Sequence, residues 1–103
     1  MAKQSNYDQQ VRDFFGSLRV EAGLSPATLE AYHRDLGVLR EKIVAEGIGC
    51  ASEVSPTLLS THIRSLHKDK GLQPSSIARH LSTIRMFFRF LQASHKIEND
   101  PAR

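Results

Sequence analysis

Three times in this chain a proline stands against small polar residues, at Ser25-Pro26, Ser55-Pro56 and Pro74-Ser75-Ser76, and each time an apolar stripe with helical spacing follows. A serine in the capping position accepts from exposed backbone N–H groups. A proline in the first turn gives up no donor that the helix would use. The helices so opened carry Leu29, Tyr32, Leu36, Leu39 and Ile43, then Leu59, Ile63 and Leu66, then Ile77, Leu81, Ile84, Phe88 and Leu91. An earlier helix is marked by Tyr7, Val11, Phe14 and Leu18, with Phe15 beside them. Gly23, Gly47-Ile48-Gly49 and Gly71 separate the four, and Asn99-Asp100-Pro101 reads as the exit from the fold. No stretch sustains the period of two that a strand requires. The expectation is an all-α bundle of two crossed helical hairpins over residues 6–94, with Leu29, Leu36, Leu66, Leu81, Ile84 and Phe88 buried.

The second and fourth helices begin with one phrase. Gly23-Leu24-Ser25-Pro26-Ala27-Thr28-Leu29 matches Gly71-Leu72-Gln73-Pro74-Ser75-Ser76-Ile77 at an offset of 48 residues, and the match continues in kind at Leu36 and Ile84. Two copies are too few for a solenoid. They suit a pseudo-symmetric pair of hairpins that presents two equivalent helix starts side by side.

The 103 residues make one domain with room for a modest core, and the 40% hydrophobic content suits a soluble protein. No apolar run approaches the roughly 20 residues of a membrane span. The opening Met1-Ala2-Lys3-Gln4-Ser5-Asn6 lacks the apolar stretch of a secretory signal. Cys50 stands alone, which excludes an internal disulfide and a cysteine-rich zinc module and suits a reducing cytoplasm. Charge is unevenly spread. Residues 1–60 hold six Lys/Arg against eight Asp/Glu, and residues 61–103 hold eight against three, together with four of the five histidines. Such asymmetry favours a polyanionic partner without choosing between nucleic acid and membrane surface.

A helical wheel of the fourth helix sets Ser75, Arg79, Ser82, Met86 and Arg89 opposite the apolar stripe, with Thr83 and Arg85 on its flanks. The segment 75–94 has three arginines and no acid. Arginine forks onto guanine or holds phosphate, and small hydroxyl residues donate to phosphate without holding a helix away from a groove. The positive helix N-terminus adds a further phosphate site. On the second helix Ala27, Ala31 and Arg34 point outward with Thr28 on the flank. Met86 and Phe90 leave two readings open: cover by a crossing first helix, or a subunit or interdomain contact.

Catalytic patterns are missing. The histidines form no i, i+4 metal pair, no His-Asp set is spaced to activate a serine, and no glycine-rich phosphate loop occurs. Tyr7 and Tyr32 lie on apolar stripes, which points to packing, and no cofactor or metal is expected.

The run from Phe14-Phe15-Gly16-Ser17-Leu18 through Gly23-Leu24-Ser25-Pro26-Ala27-Thr28-Leu29 to Tyr32-His33-Arg34-Asp35-Leu36 resembles the opening of Xer-type tyrosine recombinases and related phage integrases. So does Ser75-Ser76-Ile77-Ala78-Arg79-His80-Leu81-Ser82-Thr83-Ile84-Arg85-Met86-Phe87-Phe88-Arg89-Phe90-Leu91. Glu98-Asn99-Asp100-Pro101-Ala102 is similar to the family's linker into its catalytic domain, which makes residues 97–103 the expected start of that linker. The resemblance covers nearly the whole chain. It implies that residues 1–103 form a four-helix, SAM-like core-binding domain closing one side of a C-shaped clamp on double-stranded DNA, in company with other recombinase subunits. It nominates Thr28, Ala31 and Arg34 on the second helix and Ser75, Ser76, Arg79, Ser82 and Thr83 on the fourth as groove contacts, with Arg85 and Arg89 on phosphate. The family's catalytic arginines, lysine, histidines and tyrosine nucleophile match nothing here, so strand transfer through a 3′-phosphotyrosine would belong to a domain outside these residues. The residues by themselves leave open a free-standing helical interaction module or a helix-turn-helix regulator.

Overall fold

The computed structural model describes residues 3–21 and 23–103. Met1 and Ala2, where the reading of the amino terminus begins, and Ala22 lie outside the described residues. Four helices follow in order: α1 (Lys3–Glu21), α2 (Pro26–Ala45), α3 (Pro56–Lys68) and α4 (Pro74–Ala93), with a 3₁₀ turn at Ala51–Glu53 ahead of α3. There is no strand among the described residues. The serine caps form as the sequence implies: Ser25 Oγ accepts from the Thr28 N–H at 3.2 Å and Ser55 Oγ from the Leu58 N–H at 3.0 Å. Gln73, in the same position ahead of α4, makes no side-chain cap.

The helix ends are set by left-handed residues. After α2, Gly47 has φ +74°, its N–H reaches the Val44 carbonyl and the next N–H, of Ile48, reaches Ile43 at 3.0 Å. This pair of hydrogen bonds satisfies carbonyls that the helix leaves over, and only glycine takes that φ without a Cβ penalty. The same arrangement closes α4, where Lys96 N–H bonds Leu91 and His95 N–H bonds Gln92, but here the left-handed residue is His95, at φ 60°.

α4 is the central helix and packs against each of the other three. Its Ile84, Phe87, Phe88 and Leu91 are fully enclosed, with Leu36 and Leu39 of α2 and Leu66 of α3. Phe87 meets Tyr7, Phe14 and Phe88 edge-on, at centroid distances of 5.5, 5.5 and 5.3 Å. The Tyr7 hydroxyl donates to the Leu36 carbonyl at 2.9 Å and so pins α1 to α2. Met86 and Phe90 both pack partly buried on the core, Phe90 with its ring 5.6 Å from Phe14 of α1.

Leu29 and Leu81, expected in the core, are only half-buried, while Phe87, His80 and Thr83 are enclosed. The reason is that α1 and α2 cover α4 on the side of residues 80, 83 and 87. The buried arc is therefore turned toward them, and Leu81 is left at the mouth of a groove shared with α3. Beyond α4 the chain does not leave at once. Ile97 is buried in the core, Gln92 Nε2 donates to the Glu98 carbonyl at 3.0 Å, and Asp100 accepts from the Ala102 N–H at 2.9 Å.

Candidate nucleic-acid interface

The pairing of α2 with α4 rests on a buried polar cluster. Asp35 of α2 has a side chain only 3% exposed, and the guanidinium of Arg79 on α4 grips it twice, Nε to Oδ2 at 3.0 Å and Nη2 to Oδ1 at 2.6 Å. The Thr83 hydroxyl lies 2.9 Å from Asp35 Oδ2 and 3.0 Å from the Arg79 carbonyl. His80 Nδ1 stands 3.4 Å from Oδ1, and its Nε2 is 2.8 Å from Nε2 of His62 on α3. Burial alone would raise the Asp35 carboxyl. Hydrogen bonds from His80, Arg79 and Thr83, with the charge of His80, outweigh it and hold the carboxyl well below the usual carboxylate range. Burial pushes His62 the other way for a base, down to about 4, aided by His80, Lys42 and Lys70.

Asp35 and Thr83 are separated by 48 residues, the offset of the repeated phrase, so the two copies touch through equivalent positions.

Thr83 must accordingly be corrected: it is buried with its hydroxyl already engaged, and no part of it reaches a groove. Its placement on the flank of the wheel assumed a single stripe centred on Ile84 and Phe88, whereas the packing of α1 and α2 turns that flank inward. The other nominated residues are at the surface. Ser75, Ser82, Arg85 and Arg89 of α4 and Arg34 of α2 are exposed; Ser76, Arg79, Thr28 and Ala31 are half-buried. The Thr28 hydroxyl accepts from Ser25 Oγ at 3.0 Å, which occupies it in the cap.

Among the described residues Arg34, Arg85 and Arg89 have no ion-pair partner, in contrast to Arg40 on Asp8 and Arg79 on Asp35. Two further arginines join them that the wheels of α2 and α4 did not reach. Arg64 of α3 and Arg103 line, with Arg85, Leu81 and Ile63, an open groove of about 490 Å³ between α3 and α4, and Arg103 also lines, with Arg85, Arg89 and Asp100, the neighbouring depression.

No cluster of three or more metal-ligating side chains occurs among the described residues. Tyr7 is enclosed, and burial raises its hydroxyl beyond the ordinary phenol range. Among the described residues no helix is long and apolar enough to cross a membrane.

The family model for the phage integrase N-terminal SAM-like domain matches residues 11–95. The chain belongs to that family. The SAM-like domain is 38% identical over 93 residues to tyrosine recombinase XerC of Herpetosiphon aurantiacus, covering 90% of the chain and 30% of the relative. It is 36% identical over 92 residues to tyrosine recombinase XerC of Xylella fastidiosa (89% of the chain, 31% of the relative). Against tyrosine recombinase XerD of Oceanobacillus iheyensis the identity is 37% over 93 residues, again 89% and 31%. The SAM-like domain therefore spans about a third of the length of these curated relatives and corresponds to their N-terminal portion. No solved structure matches it with significance.

Proposed function

We propose that this SAM-like domain grips one side of a recombination site in double-stranded DNA for a tyrosine recombinase whose strand transfer is performed by residues beyond this chain, alongside other recombinase subunits. The observation that carries the reading is the set of exposed, unpaired arginines, Arg34 on α2 and Arg85 and Arg89 on α4, beside the low-bulk Ala31, Ser75 and Ser82. An arginine without an acid keeps its full charge for phosphate, and small neighbours let the helix approach the backbone closely. Family membership supports the same assignment. Ala31, Ser75, Ser76 and Ser82 take the groove-facing role in this reading, Arg34, Arg85 and Arg89 the phosphate role, and Thr28 contributes by holding the Ser25 cap at the start of α2.

The test is a fluorescence-anisotropy titration of the chain against a labelled duplex at several salt concentrations. Affinity is expected to fall steeply with salt as phosphate counterions are released. Arg89→Ala is expected to weaken all duplexes alike and to lower the salt slope by about one, with Arg12→Ala on α1 as the control. Salt-independent binding, or Arg89→Ala and Arg12→Ala proteins that are folded and bind equally well, would overturn it.

A further inference from the structure

Arg79 differs from the other arginines of the interface because its charge is already met. Its guanidinium has five N–H donors in a rigid fork. Nε and Nη2 each give one to Asp35, at 3.0 and 2.6 Å. That leaves both protons of Nη1 and the second of Nη2, and the Nη1–Nη2 end is itself a parallel pair of donors. The side chain is 37% exposed while the carboxylate behind it is 3% exposed. Asp35 is fixed from its other sides by the Thr83 hydroxyl and by His80, which is in turn held by His62. The carboxylate therefore cannot follow a moving guanidinium, and the guanidinium is held in one orientation.

We propose that Asp35 is a positioning residue for sequence reading: it clamps Arg79 so that the free Nη1–Nη2 end is held out toward a base edge instead of ranging over phosphates. The proposal rests on the DNA-binding reading above. A free donor pair of this geometry fits two acceptors side by side, as guanine presents at O6 and N7 in the major groove. Neutralisation by Asp35 removes most of Arg79's pull on phosphate, so the arginines divide into two kinds. Arg34, Arg85 and Arg89 supply charge, and Arg79 supplies oriented donors.

The division has an unusual signature. Asp35→Asn releases Arg79 as an additional free charge, so binding to duplexes at large is expected to be retained with a salt slope higher by about one, while base preference drops roughly tenfold. Arg79→Lys keeps the charge but loses the fork, and is expected to lose the same preference even if Asp35→Asn proves too unstable to purify. Both variants and the parent would be used to select from a duplex pool with a randomised centre, with far-UV circular dichroism confirming the fold. The Nε–H resonance of Arg79 in a ¹⁵N spectrum, protected from exchange in the parent, should become exchange-broadened in Asp35→Asn without any DNA present.

If the folded variants enrich the same base pairs as the parent, or the parent enriches none, Asp35 only ties α2 to α4 and the proposal is overturned. If Arg89→Ala also leaves pool binding untouched, the failure lies with the DNA-binding reading.

Discussion

Acidification is expected to destabilise this domain through one histidine, His62, before Asp35 is protonated. His62 is 2% exposed, and its Nε2 shares a proton with His80 at 2.8 Å. A proton added to His62 places a charge in an enclosed site already faced by His80, Lys42 and Lys70. Its pKa falls from 6.5 to about 4 on folding. Because the folded pKa is the lower one, the unfolded chain binds the proton first. The stability that the neutral His62 contributes is complete above pH 6.5 and drains away as pH falls toward 4. At about 1.4 kcal/mol per pKa unit the loss comes to roughly 3 kcal/mol, a large fraction of the 5–15 kcal/mol typical of a domain. Asp35, whose folded pKa is also depressed, adds a second loss of the same sign only below the ordinary carboxylate range. The assay is guanidinium unfolding followed at 222 nm from about pH 7 to about pH 4. His62→Gln keeps a side-chain N–H for His80 but does not titrate, so its stability should stay nearly level across that interval. An equal loss in His62→Gln and the parent would refute the assignment to His62.

His95→Gly should stabilise the domain by up to about 1 kcal/mol, since it removes the Cβ from a left-handed residue, and the gain would be seen in the same denaturant series. Phe87→Ala removes the ring on which Tyr7, Phe14 and Phe88 converge and should cost about 3–5 kcal/mol, read from the urea midpoint.

What could be read in the sequence is what local chemistry decides. Ser25-Pro26 and Ser55-Pro56 fix helix starts through bonds that span three residues, and Gly47 fixes a helix end in the same way. The turn at His95 escaped because histidine does not announce a left-handed conformation; that one is imposed by Ile97 docking on the core. Periodicity gave one stripe for α4, but a helix covered on three sides buries a wider arc, so His80, Thr83 and Phe87 were missed as core. Asp35 and His62 were hidden for a different reason. A polar residue on a helix reads as surface, and only partners 44, 45, 48 and 18 residues away make these two interior. The one available signal was the repeat itself, which sets Asp35 opposite Thr83. Arg64 and Arg103 lie outside the two repeated helices and join the basic surface only through tertiary packing.

The contact between Asp35 and Thr83 sets a limit on how alike the two halves can be. Where two copies of one motif meet through the same position, whatever residue stands there faces itself. Two carboxylates so placed would repel at hydrogen-bond distance in an enclosed site, and two threonines would leave Arg79 without its acid. The acid can therefore stand in one copy only, with a hydroxyl in the other, and the arginine must then stand in the hydroxyl's copy, where Arg79 occupies the position matching Ala31. Divergence of the repeat at this point is demanded by its own geometry, and exchanging Asp35 with Thr83 and Arg79 with Ala31 together is the substitution that would move the oriented arginine from one helix to the other.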